Sequence, residues 1–177
     1  TDEARTLLAT ADIRSAVGAA SGLLVADFSG DRILRLQNDG SGYSMLEVLG
    51  DGIAGVSGLN GVSGLLSVGE DLYACSYYDS AVAWFRLDPE TGFYVHRATL
   101  DDVASGATAL SATDDGRVLF IAAGVGDALV VLDRDPDTGS IAPAGRFEVP
   151  GRLDSPRSVA TAFGFAVVAS ANSGSVE

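Results

Sequence analysis

Residues 131–140, VLDRDPDTGS, set Asp133, Asp135 and Asp137 at alternate positions immediately before Thr138 and Gly139. Alternating carboxylates ahead of a glycine form the first half of a calcium loop, where hard oxygen ligands collect around a hard cation. Such a loop needs glycine at its sixth position and a bidentate glutamate at its twelfth. Counted from Asp133, those places hold Thr138 and Ala144. The matching stretch 47 residues upstream is RLDPETG, 86–92: Asp88 persists, Glu90 replaces Asp137 and Arg86 replaces Asp133. What both copies keep is acid-Pro-acid-Thr-Gly. Proline presets φ, the aspartate accepts from backbone N–H groups and glycine takes the left-handed conformation, all of which are demands of a hairpin. A turn is therefore expected. The alternative is a weak Ca²⁺ site at Asp133, Asp135 and Asp137, and no other cofactor is expected.

The remaining candidates for chemistry are few. His96, the only histidine, falls in FYVHRATL, an outer-strand pattern with no sequence partner for general-base work. Inner-strand patterns carry Ser63, Ser67, Thr108, Ser111, Ser158 and Thr161, with Arg157 at the start of one strand. That set is rich in hydroxyls but lacks an evident acid–base pair. No nucleophile elbow or phosphate-binding glycine loop occurs. Tyr77 and Tyr78 lie at a strand-to-strand tip, CSYYDS, on the side expected for the 50–61 loop. With Asp51, Asn60, Asp79, Arg152, Asp154 and Arg157 they make the expected ligand or partner face.

The chain has 177 residues, 47% of them hydrophobic, and a net charge of −13. That composition suits one globular domain with a sizeable core and excludes a disordered chain. There is no lysine; all eleven fixed cations are arginines. So acidic a surface repels phosphate backbones, so no nucleic acid partner is expected. No apolar run reaches the roughly 18 residues needed to span a bilayer, so no membrane insertion is expected either. The single cysteine, Cys75, cannot form an internal disulfide and lies in an apolar run that predicts a buried thiol. The opening, TDEARTLLAT, has no basic-then-apolar leader pattern.

Positioning comes from a repeat. AVAWFRLDPETGFYV at 81–95 matches ALVVLDRDPDTGSIA at 128–142, and GVSGLLSVGEDLYAC at 61–75 corresponds to GATALSATDDGRVLFIA at 106–122. Further copies occupy 16–49 and, in part, 155–170. Each unit splits into four short runs of Val, Leu, Ala, Phe and Ile between turn residues. Several are apolar on both faces, which implies burial on both sides. Four strands in about 45 residues mark a β-propeller blade. The fold expected is all-β: a propeller of four-stranded antiparallel blades, about three and a half of them present, the ring partial or completed by oligomerisation. The expected boundaries are a lead-in at 1–12, with 4–11 as an outer strand of a neighbouring blade, then blades at 13–60, 61–105 and 106–154 and a partial blade at 155–177.

The segment GVSGLNGVSGLLSV…DLYACSYYDSAVAWFRLDPETG resembles the lactonase-type, 6-phosphogluconolactonase-like seven-bladed propeller family. The family's Ser-Pro-Asp-Gly turn is here SVGED at 67–71 and TDDG at 113–116. The resemblance implies a blade strongly and an enzyme weakly. It also implies an extracellular or cell-surface location. The leading expectation is a non-catalytic binding or scaffold module of a larger secreted or surface assembly, acidic and oligomeric. A protein partner or a second copy would complete the propeller. The alternatives are a lactone hydrolase acting on a sugar lactone and a calcium-stabilised structural repeat. An enzyme should gather an arginine, an acid and a histidine at the central axis; a scaffold should not.

Overall fold

The computed structural model describes residues 2–19 and 22–177, with residues 2–5 as backbone only. A helix, α1 (Asp2–Thr10), leads into β1 (Ile13–Ala19), β2 (Gly22–Asp27), β3 (Arg32–Asn38) and β4 (Tyr43–Gly50). The second group is β5 (Val62–Val68), β6 (Asp71–Ser76), β7 (Val82–Leu87) and β8 (Tyr94–Leu100). The third is β9 (Ala107–Ala112), β10 (Val118–Ala123), β11 (Ala128–Arg134) and β12 (Ile141–Phe147), and β13 (Pro156–Ala162) and β14 (Phe165–Ser170) follow. Each group is a separate antiparallel meander: three four-stranded sheets in sequence order and one two-stranded sheet. This is a partial β-propeller, as the repeat predicts.

The helix corrects one expectation. Residues 4–11 do not form an outer strand. The segment DEARTLLAT is rich in alanine, leucine, arginine and glutamate, which are strong helix formers. Leu8 packs with Leu23 and Met45 on Val25, Leu34 and Leu36, covering part of the first sheet's otherwise free face. Among the described residues no helix is long and apolar enough to cross a membrane.

Apolar layers fill the wedges between successive sheets. Leu24, Ile33, Leu59, Val62, Leu72 and Phe85 join the first and second. Tyr73, Val82, Leu110, Leu119, Ile121 and Leu132 join the second and third. A thinner layer of Ala122, Leu153, Val159 and Val168 joins the third to the two-stranded sheet. That last sheet has an open far side, with Phe163 92% and Phe165 74% exposed. Cys75 lies inside the second layer, and burial pushes its thiol up to about 12.

Polar hooks fix the wedges in register. The turn between the second and third strands of each full sheet carries a left-handed residue, Asp31 (φ 49°), Ser80 (φ 56°) or Asp127 (φ 49°). Each side chain accepts from a backbone N–H in the entry loop of the next sheet. Gly61 N donates to Asp31 Oδ1 (2.7 Å), Gly106 N to Ser80 Oγ (3.4 Å) and Ser155 N to Asp127 Oδ1 (2.8 Å).

The acidic hairpins do the same at the outer rim. Asp135 Oδ1 accepts from Asp137 N (2.8 Å) and Thr138 N (3.1 Å), and those backbone donors hold its carboxyl below the usual range. Asp88 accepts likewise from Glu90 N (2.9 Å). The following glycine then offers its carbonyl to the preceding sheet: Arg35 Nη1 donates to Gly92 O (2.6 Å), and Tyr73 Oη to Gly139 O (2.5 Å). Behind Gly139 lies a buried charge cluster. Asp71 accepts from Trp84 Nε1 (2.9 Å), from Arg86 Nε (2.8 Å) and Nη2 (3.0 Å), and from Arg134 Nη2 (2.5 Å). Arg134 Nε donates to Tyr73 Oη (2.7 Å). Burial pushes the Tyr73 phenol up to about 12, so it stays neutral and keeps the proton it gives to Gly139.

The two hairpin glycines separate backbone strain from interblade contact. Both have positive φ (72° and 77°); a Cβ on Gly92 meets nothing, whereas one on Gly139 overlaps the Asp71 carboxylate. Gly92→Ala should cost about 1 kcal/mol. Gly139→Ala should cost at least ~2 kcal/mol more, because it pries apart a buried ion cluster. Denaturant unfolding checks this, and equal costs would remove the role given to the cluster.

Candidate functional site

The first strand of every sheet is irregular at the same place. Between the first and second strands the pairing skips one residue: Ile13 pairs Asp27 and Ser15 pairs Ala26. Val62 pairs Ser76 and Gly64 pairs Cys75. Ala107 pairs Ala123 and Ala109 pairs Ala122, while Pro156 pairs Ser170 and Ser158 pairs Ala169. The residues left out are Arg14, Ser63, Thr108 and Arg157. A β-bulge frees one residue from the ladder and re-aims its side chain. All four bulge residues line one cavity of about 330 Å³, closed on one side by Phe28, Tyr77 and Tyr78. Because it gathers the first strand of every sheet, the cavity lies on the axis of the array.

The two arginines differ. Arg14 is clamped by Asp12, with Nε on Oδ1 (2.9 Å) and Nη2 on Oδ2 (3.0 Å), and its guanidinium stands 4.7 Å from the Phe28 ring centre. The Arg14 side-chain bonds hold the Asp12 carboxyl below the usual range, and Asp12 in turn raises Arg14. Ser29 Oγ also donates to Asp12 Oδ2 (3.2 Å). Arg157 is exposed and has no ion-pair partner among the described residues. The hydroxyls between them are committed to backbone. Ser63 Oγ donates to Ala107 O (2.6 Å) and lies 3.2 Å from Cys75 O; Thr108 Oγ1 is 3.0 Å from Pro156 O and 3.1 Å from Ala122 O. They stitch adjacent first strands together and form wall rather than nucleophile. The cavity thus presents one preorganised cation, one uncommitted cation, hydroxyl oxygens and an aromatic side. It suits an anionic, polyhydroxylated ligand or a developing oxyanion.

Of the face expected from the sequence, Tyr77, Tyr78 and Arg157 come together in this cavity. The other five residues serve loops. Asp51 Oδ1 accepts from Leu59 N (3.0 Å) and Asp79 Oδ2 from Asn60 N (3.0 Å). Asp154 Oδ1 accepts from Asn172 Nδ2 (3.0 Å), and Arg152 Nη1 donates to Glu177 Oε2 (3.1 Å). Arg14 escaped the sequence reading, although Ile13-Arg14-Ser15 repeats as Pro156-Arg157-Ser158 at the start of another first strand. Among the described residues no three His, Cys, Asp or Glu side chains converge as a metal site; Asp135 is spent on its own turn, and Asp133 lies within β11. His96 sits on β8, its Nε2 2.9 Å from Thr99 Oγ1 and its ring against Phe85, away from the axis.

A second cavity of about 330 Å³ opens beside the two-stranded sheet, lined by Asp114, Asp115, Val118, Phe120 and Phe165 among others. It offers no cation and is the wedge that the short sheet leaves unfilled.

Comparison with known proteins places the fold. No family model and no curated protein matches the chain. Solved structures do. A Bacteroides uniformis protein carrying the 6-phosphogluconolactonase name matches over 96% of this chain and 54% of its own, at 22% identity and TM-score 0.77. The periplasmic gluconolactonase of Pseudomonas aeruginosa matches over 82% of this chain and 41% of its own, at 21% identity and TM-score 0.70. The Cps50 β-propeller domain of Myceliophteria thermophila matches over 98% and 55%, at 12% identity and TM-score 0.65. The chain spans about half the length of these structures. At these identities the likeness is one of fold. It agrees with the resemblance read from the repeat as far as lactonase-named propellers, without reaching a count of seven blades. The scaffold expectation is corrected: matching structures carry lactonase names, which favours the lactone-hydrolase alternative over it.

The half-buried imidazole of His96 makes stability depend on pH. Burial holds its imidazole below the ordinary histidine value of 6.5. Above that pH it is neutral whether the chain is folded or not. As the pH falls below 6.5, the unfolded chain takes up the proton first, so stability is lost until the folded imidazole titrates too. His96→Gln should flatten the loss of stability between about pH 7 and about pH 5 and leave ligand binding at the axis intact. An unchanged slope in urea titrations would assign the loss to other groups.

Proposed function

We propose that the chain is part of a propeller hydrolase that opens a sugar lactone at the axial cavity. The observation that carries this reading is the set of four aligned bulges, which converts a structural seam into a ring of aimed side chains with an arginine at each end. The lactonase names among the fold's relatives support the same reaction.

Lactone hydrolysis needs water to add to the carbonyl carbon, charge to collect on the carbonyl oxygen, and the ring C–O bond to break as the ring oxygen takes a proton. Arg14, locked by Asp12 and Phe28, is the preorganised partner for the oxyanion, since it needs no reorientation as charge develops. Arg157 has free donors in a fork that suits a phosphate or carboxylate substituent, and it orients an anionic substrate. Asp12 is a positioning residue that acts through Arg14. A further blade, from a second copy, a protein partner or more of the same chain, covers the open far side of the two-stranded sheet. The extracellular or surface setting implied by the resemblance belongs to this proposal, and one matching structure is named periplasmic.

A pH-stat assay with glucono-δ-lactone and 6-phosphogluconolactone tests the reading against the spontaneous rate. Arg14→Ala should lower kcat by about 100-fold. Arg157→Ala should raise KM for the phosphorylated lactone by about 10- to 100-fold and change the neutral lactone little. No acceleration of either lactone by the unaltered protein overturns the proposal.

A further inference from the structure

The aromatic side of the axial cavity has its own chemistry. Tyr78 is 62% exposed, whereas Tyr73 is fully buried and Tyr94 6% exposed, so Tyr78 is not a core residue. Nor is it a loose surface ring. Tyr77 meets it edge-on at 5.4 Å between centres, and Phe28 backs it at 5.4 Å. The backbone is held from both sides, Tyr77 N donating to Gly61 O (2.9 Å) and Tyr78 N to Asn60 O (3.2 Å). Gly61 is what permits this packing: its φ is 66°, and a Cβ there would come within 2.5 Å of Tyr78 Cδ2 and 3.3 Å of Phe28 Cε2. The ring is thus fixed on a glycine of its own sheet's entry loop, and that loop is fixed by Asp31 of the preceding sheet.

We propose that Tyr78, backed by Phe28 and Tyr77, is a specificity-determining platform on which the C–H face of a cyclic polyol stacks. The negative face of an aromatic ring attracts the positively polarised C–H bonds of a sugar ring, and a flat, immobile ring gives up little conformational freedom on binding. Neither phenol hydroxyl bonds to another described residue, so both remain available to sugar hydroxyls. Arg14 stacks on Phe28 in the same cluster, so the platform and the fixed cation share one wall and would present one ligand to both. An open-chain acid satisfies the arginines but cannot lie flat on Tyr78. The platform therefore selects the closed lactone over the opened product. The identity of that ligand rests on the lactone reading, while the selection of ring over chain rests on the wall itself.

The test compares two ligands by titration calorimetry: gluconolactam, a closed ring that does not hydrolyse, and gluconate, its open-chain counterpart. Tyr78→Ala should weaken lactam binding about 5- to 10-fold and leave gluconate within about twofold. Tyr78→Phe should keep lactam binding within about twofold of the unaltered protein. Saturation-transfer NMR on the unaltered protein should carry magnetisation from aromatic protons to one face of the lactam ring, independently of any variant's folding. Equal loss for lactam and gluconate, no loss in Tyr78→Ala, a Tyr78→Phe loss as large as that of Ala, or no aromatic transfer overturns the platform. These affinities, found without any lactone hydrolysis, sink the hydrolase reading and leave the platform standing.

Discussion

The structure depends on polar groups of one sheet being satisfied by the backbone of the next. A meander of four short strands buries both faces only if a neighbour covers each, and apolar layers alone leave neighbours free to slide. Asp31, Ser80 and Asp127 remove that freedom at one end of the sheets by accepting from the entry loop that follows. Arg35 and Tyr73 remove it at the rim by gripping the hairpin carbonyls of Gly92 and Gly139. The acidic hairpins that look like ligand loops are the grips' targets. Their carboxylates shape the turn so that the glycine carbonyl faces the preceding sheet.

Register between sheets is what gives the axial cavity meaning. A bulge in one strand would only re-aim one side chain. Four bulges at the same step in four first strands, held at a common height by the hooks, aim four side chains at one volume. Ser63 and Thr108 use the position to stitch first strands together, and Arg14 and Arg157 use it to present charge. In a chain of net charge −13, a cavity lined, among the described residues, by two arginines and no acid is a local reversal of sign. Such reversals concentrate anions.

Much of the architecture was legible because it is periodic. The 47-residue match gave the sheets, and the Asp-Pro-acid-Thr-Gly copies gave the hairpins. What escaped was not periodic. Asp71 meets Arg134 across 63 residues, a contact that no local pattern announces. Residues 2–10 precede the first repeat and follow helix propensity instead. Of the expected face, Tyr77, Tyr78 and Arg157 line the axial cavity, whereas Asp51, Asp79 and Asp154 accept from loop donors and Arg152 pairs with Glu177, differences that tips and strand starts do not announce. Arg14 was missed because a bulge is invisible until strands are paired, although the shared Arg-Ser step at 14–15 and 157–158 was there to compare.

The proposed ligand site on the axis stands or falls on the four bulges acting together. A crystal structure of the protein soaked with gluconate tests it most directly. The expected result is gluconate with its carboxylate and hydroxyls between Arg14 and Arg157. Gluconate seated in the open wedge by Phe165, or an axis where Arg14 and Arg157 point to different faces, would contradict it.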